Sequence, residues 1–432
     1  MQTPLPDYLS EVLTACSPDQ EGELPDDIPE LASADPGRLA LALATIDGEV
    51  YSVGDDEVPF TIQSIAKPFV YALAIQDSGL DTVLQHISVE PSGDAFNELS
   101  LEASTGRPFN PMINAGAIAA HSLVIGPGAD EGARTERIID AFSALAGRQL
   151  SIDESVLESE LENNHRNLGI AHMLRASGLL PDDPAEVVRG YAKQSSIAVT
   201  VRDLAVMSAA LANGGRLVHS GERVMHSHVA RQVLSVMMSC GMYDATGDWV
   251  TQVGIPAKSG VAGGIVGALP GQLGIAAFSP PLDPQGNSVR GVDLFQRLSR
   301  DMGLHLMDAE QPSHSVIRVI DEVADDAGEA WLVAEVFGAV RFSGGERVAR
   351  RISGVPGIDE GGPTRVLLDL TAVHSLSEVA RRMFVETARR LAHEGHRVLV
   401  LDPQGFTADA DEPTIGDARV VGSLPWRRDA GA

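Results

Sequence analysis

Lysine is almost missing from this chain. Of its 432 residues only 3 are lysine, against 29 arginines, so cationic surface is left to a guanidinium that stays charged and hardly trades a proton. Cysteine is nearly as scarce. Cys16 and Cys240 are the only two, which excludes a disulfide framework or a cysteine-rich metal site and fits a reducing compartment. No apolar run approaches the roughly eighteen residues of a membrane-spanning helix. Met1 to Cys16 has neither the basic start nor the continuous apolar stretch of a secretory signal, so the cytoplasm is the expected location. Acidic residues outnumber basic ones 60 to 32, a net charge of -28, and no basic stripe offsets it; nucleic acid and anionic membrane are thereby excluded as partners. Small molecules and other protein surfaces remain. A hydrophobic content of 44% with 21% charged residues is that of a soluble globular protein, and the length calls for two domains.

Two of the three lysines stand in motifs of serine acyl transfer, Ser64-Ile65-Ala66-Lys67 and Lys258-Ser259-Gly260. A chain that has otherwise given up lysine and keeps it at Ser-x-x-Lys needs an amine there, because an ammonium, unlike a guanidinium, becomes a base when desolvated. On the first turn of a helix this spacing puts the amine one turn from the serine hydroxyl, and the helix N-terminal N–H groups favour the oxyanion formed when serine attacks a carbonyl. Lys258-Ser259-Gly260 lies on a predicted strand. That is the order and setting of the Lys-Thr-Gly element of penicillin-recognising enzymes. The third lysine, Lys193, lies in Tyr191-Ala192-Lys193-Gln194, close to another candidate residue.

Periodicity divides the chain. A helix over Pro6 to Ala15 precedes a hairpin in which Asp47-Gly48 turns Arg38–Thr45 back into Glu49–Val53. Pro68 begins a helical pattern ended by Gly79, which places Ser64 at or just before a helix N-terminus. Leu80 to Met238 is mostly helical; Ile255–Gly260, Gly264–Leu269 and Leu273–Ser279 read as a meander, and a helix over Val292–Met307 closes the unit. Residues 1–308 are therefore expected to form a three-layer α+β domain, an antiparallel sheet covered by helices with a helical subdomain. Past a linker at 309–313 the pattern restarts. His314–Val323 reads as strand or short helix, while Thr364–Leu370, a helix over Leu376–Glu394 and Arg397–Leu401 form a parallel βαβ unit within a smaller α/β domain at 314–404. Residues 405–432 are acidic and irregular and are expected to be disordered.

Other polar residues remain open on composition alone. Asn114 either caps the helix begun by Asn114-Ala115-Gly116-Ala117 or presents an amide to a substrate. Glu160 and Asn167, seven residues apart, share a face if their segment is one helix. Tyr191 and Tyr243 are two of only five tyrosines, and a core hydrogen bond is the plainer reading of each.

Taken together, Gln63-Ser64-Ile65-Ala66-Lys67-Pro68-Phe69, Asn114-Ala115-Gly116-Ala117, Arg166-Asn167, Met242-Tyr243-Asp244 and the run Pro256 to Gly264 resemble the serine-dependent glutaminases over roughly residues 20 to 305. The resemblance implies a serine β-lactamase-like fold and hydrolysis of L-glutamine to glutamate and ammonia without metal or cofactor. It makes Ser64 the nucleophile, Lys67 its base and Tyr243 an aid to proton transfer onto departing ammonia. The backbone N–H groups of Ser64 and Val261 would form the oxyanion hole, and Asn114, Glu160, Asn167 and Tyr191 would hold the amino-acid end of the substrate. Lys258, Ser259 and Gly260 support the site as its flanking strand. One departure stands out: the family commonly has tyrosine before Ile-Pro-Glu-Leu, whereas Asp27 precedes Ile28-Pro29-Glu30-Leu31 here. An acid at that place either pulls on the substrate ammonium or repels its carboxylate.

Residues 314–404 resemble a STAS domain, with Val366 to Val373 as the strand and turn leading into its regulatory helix. Glu378 stands where phosphorylated members carry serine, which speaks against a phosphorylation switch at that position. A docking or homo-oligomerisation module is the implied role. Two rival functions compete with glutamine hydrolysis. A penicillin-recognising hydrolase would leave Asn114 and Glu160 unused, and a glutamine-sensing regulator acting through the STAS-like half has no need of intact Ser64, Lys67 and Tyr243.

Overall fold

Leucine alternates with alanine from Leu39 to Ala44, and that alternation sets the layers of the first unit. The computed structural model describes residues 5–19, 21–92, 100–308, 316–340, 342–355, 364–407 and 414–424, in two compact units, Met1–Asp308 and Ala309–Ala432. In the first unit, helix α1 (Leu5–Cys16) and the short α2 (Pro29–Ala32) precede the hairpin β1 (Ala40–Thr45) and β2 (Val50–Gly54). Strand β3 (Phe60–Thr61) leads through a 3-10 turn at Gln63–Ile65 into α3 (Ala66–Ser78) and α4 (Leu80–His86). Helices α5 (Asn114–Ser122), α6 (Glu131–Ala146), α7 (Glu154–Glu162), α8 (His165–Ala176) and α9 (Pro184–Ser195) form the helical subdomain. Strand β4 (Ala198–Val199), helices α10 (Val201–Ala212), α11 (Ser227–Cys240) and α12 (Thr246–Gln252), the meander β5 (Ala257–Gly260), β6 (Gly264–Leu269) and β7 (Leu273–Phe278), and α13 (Val289–Met302) complete it.

The sheet runs β2-β1-β7-β6-β5, every pairing antiparallel. Leu41 and Leu43 join the core under α1 and α13, with Leu9, Val12, Leu294 and Phe295. Ala40, Ala42, Ala44, Ala268 and Ala276 face the other way, into the core that α10 covers. Methyl groups let a helix lie close. At Gly274 even a methyl is too much, because a Cβ there would collide with the backbone of α10 at Ala205 and Ala209. The result is the expected three-layer arrangement. The closing helix begins earlier than Val292 because the Ser288 side chain accepts from the Gly291 N–H, and it ends at Gly303, whose φ of 62° is left-handed.

The second unit is built on a six-stranded sheet in the order β12-β13-β11-β10-β9-β8: β8 (Ile317–Ala324), β9 (Ala330–Val340), β10 (Arg365–Leu376), β11 (Arg397–Leu401), β12 (Thr414–Ile415) and β13 (Ala418–Val421), with α14 (Phe342–Ser353) and α15 (Glu378–His393). Strands β9, β10, β11 and β13 are mutually parallel, while β8 and β12 are antiparallel to their neighbours. Val348 and Ile352 of α14 and Phe384 and Leu391 of α15 share one core with Leu332, Val366, Leu368 and Val400. The segment from His314 thus contains a strand, not a short helix. Strand β10 runs six residues past Leu370, through register irregularities between Asp369 and Ser375, and Ser377 caps α15 by accepting from the Ala380 N–H. Disorder past residue 405 is overturned for Thr414–Val421: Arg419, Val420 and Val421 pair with Leu399, Val400 and Leu401. The linker at 309–313, and residues 408–413 and 425–432 of the expected tail, lie outside the described residues.

Candidate active site

Ser64 sits in the 3-10 turn that starts α3, and the turn is pinned from both sides. Strand β3 pairs with β4 through Phe60↔Val199 and Thr61↔Ala198, and the Ile65 N–H bonds the Ile62 carbonyl at 3.1 Å. Gln63 takes φ 49°, a left-handed conformation that a residue with a Cβ adopts only under constraint. Its side chain reaches Thr61 Oγ1 at 3.3 Å and also Glu160. On the other flank a Cβ at Gly260 would stand 3.2 Å from the Ile62 carbonyl oxygen and 3.3 Å from Ile65. Glycine there lets the edge strand β5 lie against the Ser64 turn.

One turn on, Lys67 is buried and donates to Asn114 Oδ1 at 2.7 Å. Burial drives its pKa from the ordinary 10.5 down to about 7, and the Glu160 charge opposes the shift. At neutral pH a large fraction of the amine is therefore a free base. Asn114 is a hub, not a cap: Ile113 precedes the helix without a side-chain cap, and the Asn114 amide also accepts from Tyr191 Oη at 3.3 Å and donates to Asn167 Oδ1 at 3.1 Å. Burial raises the pKa of Glu160, as does the Asp27 charge, whereas Gln63 and Lys67 lower it. Burial likewise pushes up the Tyr191 phenol.

Glu160 and Asn167 come from two helices and not from one face of a single helix. Asn163 ends α7 with its amide and N–H on the Ser159 carbonyl, and α8 restarts after Asn164. Asparagine side chains compete with the helix for backbone groups, which is why the chain breaks there.

Tyr243 opens a second 3-10 turn, Tyr243–Ala245, at φ 54°. Its hydroxyl donates to the Ser259 carbonyl at 3.2 Å and is hydrogen-bonded to Ser64, and burial holds its pKa up at about 12. Lys258 donates to the same carbonyl at 2.7 Å while its Nζ stands 3.8 Å over the Tyr243 ring. Burial, and then the Lys67 charge, push the Lys258 amine well below the ordinary lysine range. The Lys-Ser-Gly strand thus fixes the phenol from below. The Ser259 hydroxyl is buried without a hydrogen-bond partner among the described residues.

A cleft of about 660 Å³ opens over Tyr243 and Val261, and its rim carries Glu23, Asp26, Asp27, Asp244 and Asp283. A second cavity of about 400 Å³, lined by Asn110, Ile113, Cys240 and Tyr243 among others, shares the phenol. Lys193 does not join the site; its amine pairs with Glu131 at 3.0 Å. The sequence marked two of these acids, Asp27 as a departure from the family pattern and Asp244 within Met242-Tyr243-Asp244, but neither the other three nor the constraint at Gln63. The only trace of the latter in the sequence is its place beside Ser64.

The chain matches the glutaminase family over residues 22–307. It is similar to the glutaminase of Corynebacterium glutamicum, 51% identical over 406 residues that make up 94% of this chain and 96% of the relative. A crystal structure of Mglu superposes with a TM-score of 0.85 at 47% identity, over 94% of this chain and 99% of the other. Mglu in its L-glutamate binding form in the presence of 4.3 M NaCl gives 0.85 at 44%, over 94% and 100%. With the serine, the buried amine and the Lys-Ser-Gly strand in one place, this chain belongs to the glutaminase family and is an amidohydrolase acting on glutamine.

Proposed function

We propose that this chain hydrolyses L-glutamine to L-glutamate and ammonia through an acyl-enzyme on Ser64. The observation that carries the reading is the buried Lys67 amine, one turn after Ser64, with a pKa of about 7. Lys67 takes the Ser64 proton as Oγ bonds to the side-chain carbonyl carbon of glutamine, and the backbone N–H groups of Ser64 and Val261 receive the oxyanion. The C–N bond then breaks. Tyr243, hydrogen-bonded to Ser64, relays the proton held by Lys67 onto the departing nitrogen, which leaves as ammonia and returns the amine to its free form. Water then gives a proton to Lys67 as its oxygen bonds to the acyl carbon, and the ester bond to Ser64 breaks as Oγ regains that proton, releasing glutamate. Glu160 pairs with the substrate ammonium, while Asn114, Asn167 and Tyr191 offer neutral donors to its carboxylate.

A diazo-ketone analogue of glutamine should label Ser64, and Ser64→Ala should abolish turnover without unfolding the protein. Lys67→Arg should lose at least about a thousandfold in kcat/KM, because guanidinium keeps charge and loses basicity. In the wild type, log kcat/KM should fall with unit slope below pH ~7 as Lys67 gains its proton. Near-normal rates in Lys67→Arg would refute the dyad.

The second unit we read as a STAS-like docking or homo-oligomerisation module. Two helices packed on one face of a largely parallel sheet support that reading. A cytoplasmic location is proposed from the cysteine usage; no helix among the described residues is long and apolar enough to cross a membrane.

A further inference from the structure

Helices α5 and α9 supply Asn114 and Tyr191, and the same two helices meet again deeper in the subdomain. His121 stands two turns after Asn114 on one face of α5. It is fully buried, and its Nδ1 lies 2.7 Å from Oε1 of Gln194 on α9, one turn after Tyr191. The other edge of the ring lies against Gly190, the residue before Tyr191, where any Cβ would collide with Nε2. The imidazole therefore touches α9 on both sides of Tyr191.

This contact is costly. His121 Nε2 and Gln194 Nε2 find no hydrogen-bond partner among the described residues, and each orphaned polar group forfeits its hydration. Burial drives the ring's pKa down to about 4, so the imidazole is neutral and Nδ1–H donates to the amide oxygen. An apolar pair of similar volume would fill the space without that cost. What an apolar pair lacks is direction.

We propose that His121 and Gln194 are positioning residues, whose bond fixes the place of α9 against α5 and so holds Tyr191 where it meets Asn114. This rests on the substrate-binding role proposed for Tyr191. Asn114 has further anchors in Lys67 and Asn167, so loosening the clamp acts through Tyr191.

Steady-state kinetics of the full chain with glutamine test this. In His121→Leu and Gln194→Leu, KM should rise about tenfold with kcat within threefold, and adding Tyr191→Phe to His121→Leu should cost nothing beyond the worse single change. The exchanged pair, His121→Gln with Gln194→His, should recover most of the affinity. If the leucine variants fail to fold, His121→Gln alone, polar but a poor bridge, must show the same rise. Unchanged KM beside a lowered melting temperature, or KM losses that multiply with Tyr191→Phe, would overturn the clamp. An unchanged KM in Tyr191→Phe itself would instead strike the substrate-binding reading on which it rests.

Discussion

Replacing Lys67 with methionine should abolish turnover and make the protein more stable, and the burial of the amine sets the size of the gain. Lysine ordinarily titrates at 10.5, and in the folded protein Lys67 titrates at about 7. That difference of about 3.5 units corresponds to roughly 5 kcal/mol against folding with the proton bound, and to about 4 kcal/mol at pH 7, where half the folded molecules have lost it. Methionine forfeits the bond to Asn114 Oδ1, worth about 1–2 kcal/mol, although Tyr191 still donates to that oxygen. The net gain should be about 2–3 kcal/mol at pH 7. Between pH 7 and 10.5 the unfolded chain binds a proton that the folded chain does not, so the wild type grows more stable as pH rises. The variant lacks that group, and its advantage should shrink by about 2 kcal/mol between pH 7 and pH 9. Urea unfolding of both proteins at the two pH values measures the gap, and taking the difference between them cancels every titration they share. A variant less stable than wild type at pH 7, or a gap that ignores pH, would show that Lys67 is not a desolvated amine and would remove the basis of its role as base.

Two further outcomes follow from charge and from the division of the chain. With a net charge of -28, self-repulsion should weaken as the Debye length falls from ~10 Å at 0.1 M salt to ~3 Å at 1 M. Turnover and melting temperature should hold or rise in 1 M sodium chloride, and a steep loss of activity over that range would contradict the argument. A chain ending at Asp308 keeps every residue assigned to the chemistry, together with the cores on both faces of the five-stranded sheet. It should turn over glutamine within a few-fold of the full chain and differ in sedimentation. A cooperatively folded truncation without turnover would mean that the second unit shapes the site.

What could be read from the sequence was what depends on near neighbours along the chain. Ser64 and Lys67 lie three residues apart, and a helix turn is enough to bring them together. The apolar run Arg38–Thr45 and the turn signal Asp47-Gly48 declared a hairpin before any partner was known. Where partners are distant, the reading faltered. Strands β12 and β13 are two and four residues long; their order comes from pairing with each other and with the edge of β11, which no local pattern announces. The break at Asn163 and Asn164 was present as two adjacent asparagines, while the seven-residue spacing put Glu160 and Asn167 on one face only on the condition of a single helix, which the structure does not meet. Lys193 lies near the candidate Tyr191 along the chain, but on a helix two residues apart point to different faces, and the Lys193 amine pairs with Glu131. His121 is the sharpest case. In Asn114-Ala115-Gly116-Ala117-Ile118-Ala119-Ala120-His121 it reads as one polar residue on a small-residue helix, and its partner lies 73 positions away. Its placement is fixed by a helix crossing so close that Gly190 can carry no Cβ. A residue that reacts declares itself by its own chemistry, whereas one that holds others in place acquires its role only from the packing.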